Sequence, residues 1–215
     1  MNPVLKKLNQ INKFGILPVT GEILLRVANL FVEFRSYRIL VRPLSGSHTE
    51  DLPGGIEATE LTEAEAHSLS GNHDYDLDQS FLKAAFAKPD RAFALWQDTH
   101  LAHYVFFSTA PTPIEPGLIL TLAEKQTYLY KAYSVPKFRG RRLNELGVQL
   151  ALGKLENPAI LCVALVLSTN WPSLHSFRRL GFRPCGNIRI LGWKGSLHAW
   201  VSNSAHSLGL SVKIT

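Results

Sequence analysis

Residues 133–144 carry the side chains with the clearest chemical potential in the sequence: Tyr-Ser-Val-Pro-Lys-Phe-Arg-Gly-Arg-Arg-Leu-Asn. The pattern predicts a strand that runs through a turn at Pro136 into a helix. Unpaired backbone N–H groups and the helix dipole at such a helix start attract anions. Arg139, Arg141 and Arg142 add guanidinium groups that suit phosphate oxygens. The segment therefore predicts a pyrophosphate site, with a solvated arginine face as the alternative.

A second motif follows at residues 170–182. Asn170 is a residue type that caps helix starts, and Pro172 suits the first turn of a helix. Gly181 is typical of a helix end, so a strand is expected to begin at Phe182. The sequence thus predicts two strand–helix units in succession, each with polar residues where its helix begins.

Together, the two motifs resemble the coenzyme A signature of the GNAT superfamily of N-acyltransferases. In that signature a strand is followed by Pro-x-(aromatic)-(Gln/Arg)-Gly-x-Gly-x-(Gly/Ala) and a helix, and Pro136, Phe138, Arg139 and Gly140 match it. The second motif resembles the superfamily's Asn-x-x-(small) … Leu-Gly-Phe helix and strand. The resemblance covers residues 128–182 closely, and the elements from residue 37 onward loosely.

The resemblance implies an α/β (α+β) fold, with a mixed, mostly antiparallel twisted sheet and helices on both faces. It also implies an enzyme that moves an acetyl or other acyl group from acyl-coenzyme A to an amine by direct transfer in a ternary complex. Acetyl-coenzyme A or another acyl-coenzyme A is then the cosubstrate, without a metal. The expected partner is a small-molecule or peptide amine, rather than a nucleic acid.

The resemblance also implies site residues. Backbone N–H groups on the strand before the turn, those of Ala132, Tyr133 and Ser134, would stabilise the oxyanion. Tyr133 and Ser173 are the expected catalytic residues, Ser173 through a hydrogen bond to sulfur. His103, Glu124 and His175 are the other candidate bases beside Tyr133. The residues expected to bind the cosubstrate are Ala132, Tyr133, Ser134, Arg139, Gly140, Arg141, Arg142, Leu143, Asn144 and Asn170.

Three positions depart from the superfamily pattern. Arg142 stands where the middle glycine is usual, and Asn144 where the last Gly or Ala is usual. A side chain at either position keeps the backbone farther from phosphate than glycine would. The side chains of Arg142 and Asn144 could instead contact the phosphate or ribose themselves. Phe177 replaces the tyrosine that often protonates the leaving thiolate. A thiol has a pKa near 8.5, so its thiolate can leave without that acid near neutral pH.

Composition limits the other possibilities. With 215 residues, 46% of them apolar and 19% charged, the chain can form one large domain, which excludes a disordered or coiled-coil protein. Cys162 and Cys185 are too few for a disulfide framework or a structural zinc site, so a cytoplasmic location is expected. Residues 51–100 carry 3 basic and 10 acidic groups, whereas the whole chain has a net charge of +6.

We predict three parts: a basic arm and amphipathic helix at 1–36, the acyltransferase domain at 37–195, and a C-terminal tail at 196–215. The helix, at residues 20–34, is expected to pack on the chain's own core or on a homodimer partner. Contact with a membrane surface is disfavoured by Glu22 and Glu33 on its polar face. Two other functions stay open: a non-catalytic acyl-coenzyme A sensor, or a membrane- or partner-associated protein that uses the arm.

The remaining elements follow from periodicity and turn residues. Segments 61–80 and 110–117 are expected to contribute to acceptor binding, because loops vary between proteins of one fold. Asp74, Asp76 and Asp78 do not match a calcium loop, but could attract a cationic acceptor. The predicted strands are 37–44, 91–96, 101–108, 127–135, 160–167, 182–185 and 187–193, and the helices are 61–69, 80–88 and 142–155, plus the one that begins after Asn170.

Overall fold

The computed structural model describes residues 33–44, 52–155, 161–193 and 196–214. Its strands are β1 Glu33–Pro43, β2 Ile56–Glu60, β3 Arg91–Gln97, β4 His100–Ser108, β5 Thr112–Glu115, β6 Leu118–Thr121, β7 Gln126–Ser134, β8 Leu161–Leu167, β9 Arg183–Trp193, β10 Ser196–Val201 and β11 Ser211–Ile214. Its helices are α1 Glu63–Leu69, α2 Gln79–Phe86, α3 Leu143–Lys154, α4 Trp171–Arg179 and α5 Asn203–His206.

The main sheet has the strand order β10-β9-β1-β8-β7-β4-β3-β2. Its neighbouring strands are antiparallel except β7 and β8, which are parallel. That parallel pairing extends only from Gln126 and Leu161 to Leu129 and Ala164. A second sheet has the order β11-β6-β5. The main sheet is therefore two antiparallel halves joined by one short parallel contact.

Helices cover both faces of the main sheet, because alternate residues of its strands enter different cores. On β4, Val105 and Phe107 pack with residues of α3 and α4. Tyr104 and Phe106 instead pack with residues of α1 and α2. The small sheet and α5 share a third core with β1, β8 and β9. The predicted fold class, a mostly antiparallel mixed sheet with helices on both faces, is confirmed.

Local sequence signals explain the helix ends around the site. The Thr62 hydroxyl accepts from the Glu65 N–H, and the Glu65 carboxylate accepts in return from the Thr62 N–H, so α1 starts with a capping box. Asn170 accepts from the Ser173 N–H and caps α4. Gly181 follows α4 with a φ of +80°, the left-handed conformation typical of a helix end.

Several predicted boundaries were wrong. Glu33 and Phe34, predicted as the end of a helix, begin strand β1, and the rest of segment 1–36 up to residue 32 lies outside the described residues. The predicted loop 110–117 contains β5, which forms a hairpin with β6. The predicted tail from residue 196 supplies β10, an edge strand of the main sheet, together with α5 and β11. Short edge elements bury few side chains, so their sequence pattern is weak.

Within the described residues, no helix is both long enough and apolar enough to cross a membrane.

Candidate functional site

A gap opens in the main sheet where β7 and β8 diverge beyond Leu129 and Ala164. It holds a cavity of about 290 Å³, which we call the inner cavity. One wall includes Ala132 and Phe177, from the core beneath α3 and α4. The other includes Tyr130, from the opposite face. The inner cavity therefore connects the two faces of the sheet.

Backbone N–H groups of β7 point into this gap. The Val135 N–H donates to the Ala102 carbonyl of β4 at 3.0 Å. Successive N–H groups of a strand alternate in direction, so the Tyr133 N–H also faces β4, whereas those of Ala132 and Ser134 face the gap. The Ser134 carbonyl supports this direction, because it accepts from Arg139 Nε, outside β4, at 3.0 Å. Of the three predicted oxyanion donors, Tyr133 therefore points away from the gap.

A β-bulge shapes the apex of the gap. Lys131 pairs with Phe106 and Leu129 pairs with Phe107, which leaves Tyr130 as the extra residue. The side chains of Tyr130 and Lys131 both lie on the face covered by α2: Tyr130 belongs to that core, and Lys131 Nζ is 4.4 Å from the centre of the Phe81 ring. Two successive residues on one face bend β7 at the point where it leaves β8.

The turn between β7 and α3 forms a second cavity of about 430 Å³, which we call the cradle. The turn contains a short 3₁₀ helix, Pro136–Phe138, and then Gly140, whose φ is +85°. A Cβ on Gly140 would meet no atom within 4 Å, so its backbone conformation, and not a lack of space, explains the glycine. The cradle is lined by Ser134, Phe138, Arg139, Gly140, Arg142, Leu143, Asn144, Glu145, Pro172, His175, Ser176 and Arg179.

Arg142 precedes α3 with a φ of +57°, in the left-handed region. This is the position where the superfamily pattern has its middle glycine. The left-handed conformation costs a residue with a Cβ about 1–2 kcal/mol, which explains why glycine suits the position. Arg142 therefore keeps the backbone path of the motif at some cost in stability, and places a cation in the cradle.

The three predicted arginines take different directions. Arg139 lines the cradle, with its guanidinium 5.4 Å from the centre of the Tyr133 ring. Arg142 lines the cradle as well. Arg141 instead donates to Gln97 Oε1 of β3 at 3.0 Å, and it is not among the residues lining the cradle. The structure therefore brings Arg139 and Arg142 together and sets Arg141 apart.

Asn144 lies between the two cavities and lines both. Its side-chain amide donates to Ser176 Oγ at 2.8 Å, which links α3 to α4. Beside it Glu145 forms an ion pair with Arg179, and this hydrogen-bonded partner holds the pKa of Glu145 below its usual range. The polar bridge stands where the superfamily pattern has a small residue. Leu143, also predicted to bind, is buried and lines only the cradle.

The predicted catalytic residues lie apart. Ser173 and Asn170 line the inner cavity. The Tyr133 hydroxyl donates instead to the Asp74 carbonyl at 3.1 Å, on the face covered by α1 and α2. Tyr133 is not among the residues that line either cavity. Its side chain is therefore poorly placed to act as a base in the gap.

The other candidate bases are also poorly placed. His103 is fully buried beside Ser134, with its Nδ1 3.0 Å from Ser134 Oγ, and burial lowers its pKa to about 3. A group with this pKa binds a proton only weakly near neutral pH. Glu124 is in the connection between β6 and β7 and lines neither cavity. His175 lines the cradle and not the inner cavity.

Two tyrosine–carboxylate pairs at the inner cavity were not predicted. Tyr130 donates to Asp90 Oδ2 at 2.8 Å, and Lys88 Nζ lies 3.0 Å from the same oxygen. Tyr37 donates to Glu115, which also forms an ion pair with Arg35. The partners are 40 and 78 positions apart in the chain, so no local sequence pattern joins them.

Burial raises the pKa of both tyrosines, and Asp90 raises that of Tyr130 further. Both phenols are therefore protonated at neutral pH. Each hydroxyl then has its proton directed to a carboxylate.

The fold is shared with solved structures at low sequence identity. A protein from Drosophila has a TM-score of 0.54 and 17% identity, over 80% of this chain and 57% of that one. A GCN5-related N-acetyltransferase from Kribbella flavida has a TM-score of 0.51 and 15% identity, over 79% and 63%. Another, from Sphaerobacter thermophilus, has a TM-score of 0.50 and 11% identity, over 83% and 56%.

This chain thus spans less than two thirds of the length of each of those structures. No protein-family model and no curated protein sequence matches it. The chain has the GNAT fold, which confirms at the level of the fold the resemblance seen in the sequence.

Proposed function

We propose that the chain is an acyltransferase that moves an acetyl or other acyl group from acyl-coenzyme A to an amine, in a ternary complex. The observation that supports this most is the gap between parallel strands β7 and β8, which leads from the cradle to the inner cavity.

The cosubstrate would bind in two parts. Its pyrophosphate would occupy the cradle, between Arg139, Arg142 and the start of α3, where orphan N–H groups and the helix dipole favour an anion. Its extended arm would follow β7 and bond to the backbone edges of Ser134 and Ala132. At about 3.3 Å per residue, the strand from Ser134 back to Tyr130 spans roughly 13 Å. The acyl group would then lie near the bulge.

Transfer would begin when the neutral amine nitrogen attacks the thioester carbonyl carbon. A carbonyl oxygen that faces β7 near the bulge would receive a hydrogen bond from the N–H group of Ala132, and one such donor is worth about 10²–10³ in rate. The C–S bond then breaks, the thiolate leaves with the electron pair, and one proton from the attacking nitrogen passes to the thiolate, so the products are the amide and coenzyme A. Ser173 lines the inner cavity and is the hydroxyl that would donate to the sulfur.

Calorimetric titration with acetyl-coenzyme A tests the proposal. The double variant Arg139→Ala/Arg142→Ala should bind at least about tenfold more weakly, because charge-assisted bonds to phosphate are lost. Arg141→Ala is the matched control, since this arginine is bound to Gln97 and should leave the affinity unchanged. Equal affinity of the double variant and the parent would contradict binding of the pyrophosphate in the cradle.

A non-catalytic acyl-coenzyme A sensor is the second candidate. Phe177 favours it, because the usual acid is missing, and so does the Asn144 bridge across the passage between the cavities. Release of free thiol from acetyl-coenzyme A in the presence of amines separates the two candidates. Thiol release that requires an amine supports the enzyme. Tight binding of acetyl-coenzyme A without any thiol release supports the sensor. A cytoplasmic location, a homodimer and a role for the arm stay predictions.

A further inference from the structure

We infer that a third cavity, between α4 and strands β1 and β9, binds a ligand whose anionic head group, a carboxylate or a phosphate, is carried on an apolar chain. We call this cavity the α4 groove. Its volume is about 650 Å³, which is within the usual range of small-molecule sites. It is lined by Arg38, Leu40, Trp171, Leu174, His175, Arg178, Gly181, Phe182, Arg183 and Pro184.

Two walls of the α4 groove each contribute one guanidinium group beside apolar side chains. On α4, Trp171, Leu174 and Arg178 share one side of the helix, because they are spaced by three and four residues. At 1.5 Å per residue, this wall is roughly 10 Å long from Trp171 to Arg178. On β1, Arg38 lies on the same face of the sheet as Leu40, which belongs to the core beneath α4.

The charge of the α4 groove is not neutralised by its own residues. Neither Arg38 nor Arg178 has a side-chain hydrogen bond or ion pair with another described residue, and both are exposed. None of the described residues that line the groove is acidic. A carboxylate or a phosphate group complements guanidinium groups in both charge and geometry. The two arginines therefore favour an anionic head group.

Arg183 also lines the α4 groove, but its side chain is not part of this argument. Arg183 pairs with Val41 of β1, and Val41 packs against the core of the small sheet. Paired residues of neighbouring strands point to the same face. The side chain of Arg183 is therefore directed to the face opposite the groove.

The floor of the α4 groove is apolar, which favours a ligand with an apolar chain over a bare anion. Leu40 and Phe182 are buried in this floor, and Trp171 and Leu174 are half-buried beside it. A chain that covers this surface releases water, and each buried CH₂ adds up to about fourfold in affinity. Small-molecule sites typically combine such a lining with a few polar groups that orient the ligand.

The α4 groove is separate from the site proposed for acyl-coenzyme A. None of its described residues lines the inner cavity, and only His175 also lines the cradle. Other residues of α4 line those two cavities: Ser173 and Phe177 line the inner cavity, and Ser176 and Arg179 line the cradle. The ligand and coenzyme A can therefore be bound at the same time, and the groove does not depend on the proposed function.

Calorimetric titration of the whole protein tests the α4 groove. The probes are sodium octanoate, octyl phosphate, 1-octanol, sodium butanoate and inorganic phosphate, each with and without coenzyme A. We expect octanoate and octyl phosphate to saturate one site, and the tighter of the two identifies the preferred head group. The uncharged 1-octanol should bind at least about tenfold more weakly, because it forms no charge-assisted hydrogen bonds. Butanoate should also bind more weakly than octanoate, because it buries four fewer CH₂ groups.

Variants then locate the bound chain. Arg38→Gln/Arg178→Gln should bind octanoate at least about tenfold more weakly, with an unfolding midpoint like that of the parent, because both side chains are exposed. Arg189→Gln is the matched control. Arg189 is exposed and pairs with Ser36, two residues before Arg38, so it lies on the same face of the sheet, but it does not line the groove.

Four results would overturn the site. The first is equal affinity of the double variant and the parent for octanoate. The second is octanoate binding that coenzyme A abolishes, since the chain would then occupy the cradle or the inner cavity. The third is inorganic phosphate that binds as tightly as octyl phosphate, which would leave no role for the apolar floor. The fourth is a dimer in sedimentation that Arg38→Glu/Arg178→Glu dissociates, which would assign the groove to a second copy of the chain.

Discussion

Gly147 of α3 lies directly against the buried imidazole of His103 on β4. A methyl group on Gly147 would be 2.8 Å from His103 Nε2 and closer still to Cδ2. The ring is fully buried and has little freedom to move. We expect Gly147→Ala to lower the free energy of unfolding by about 1–3 kcal/mol, the usual cost of overpacking. Denaturant unfolding measures this.

Gly71→Ala is the control for that comparison. A Cβ on Gly71 would meet no atom within 4 Å, and its φ is not positive. It should leave the unfolding midpoint nearly unchanged. Equal stability of the two alanine variants would show that α3 and β4 are less tightly packed at His103 than the contact indicates.

His103 also predicts how stability depends on pH. Burial lowers its pKa to about 3 in the folded chain, against about 6.5 in the unfolded chain. Between these values the unfolded chain binds a proton that the folded chain does not, so stability falls as pH falls below about 6.5. The slope approaches about 1.4 kcal/mol per pH unit.

Unfolding midpoints between about pH 7 and about pH 5 measure this effect, because most carboxylates stay ionised in that window. His103→Gln lacks the proton linkage and should show a flatter profile than the parent. A parent protein whose stability does not change across the window would contradict a neutral, buried His103.

Two variants of Arg142 separate the effect of its backbone conformation on stability from the effect of its charge on binding. Arg142→Gly and Arg142→Ala both remove the guanidinium, so both should weaken acetyl-coenzyme A binding in calorimetry. Only the glycine relieves the left-handed conformation, so it should be about 1 kcal/mol more stable than the alanine variant. A glycine variant that is less stable than the alanine variant would show that the left-handed backbone at position 142 is not strained.

Asn144 predicts a change in access between the two cavities. Asn144→Ala removes the amide that bonds to Ser176 and leaves a small residue at the passage. We expect several-fold faster association of acetyl-coenzyme A in stopped-flow binding, because no bridge must open. Ser176→Ala breaks the same hydrogen bond but keeps the amide in place, so it should accelerate association less. Equal rates for both variants would mean that the bond, and not the side chain, limits access.

Phe177 predicts a gain of function. Its ring lines the inner cavity, and it packs edge-on against Phe182 with ring centres 4.9 Å apart. Phe177→Tyr would add a hydroxyl as a general acid for the thiolate, and such acids contribute about 10²–10⁴-fold. We expect faster amine-dependent thiol release at unchanged acetyl-coenzyme A affinity. An unchanged rate would show that departure of the thiolate does not limit turnover.

The sequence predicted features whose chemistry is local. Asn170 caps a helix by accepting from an N–H group three residues away, and Gly181 ends the same helix by its own backbone freedom, so each could be recognised from its neighbours. The turn that lines the cradle was predicted for the same reason, because its residues are consecutive in the sequence. The tyrosine–carboxylate pairs depend on tertiary contacts across the sheet, and no periodicity encodes them.

The sequence also did not predict which strands lie next to each other in the sheet. The sequence predicted a strand at 160–167, and β8, Leu161–Leu167, confirms it over the described residues, but a run of apolar residues says nothing about which strands flank it. The direction of Arg141 toward Gln97 also depends on β3, which lies far away in sequence. The directions of the side chains of Arg139, Arg141 and Arg142 could therefore be known only from the structure.

The place of β1 has a consequence for the order in which the sheet can assemble. Tyr37 pairs with Leu167 on one side and with Ile188 on the other, so its partners emerge about 130 residues or more after it during synthesis. At about 5–20 residues per second, the strand waits roughly 6–26 seconds with both edges unpaired. Contacts this distant slow folding. The gap between β7 and β8 can therefore form only after β8 has been made, and the inner cavity only after Phe177, the last residue that lines it.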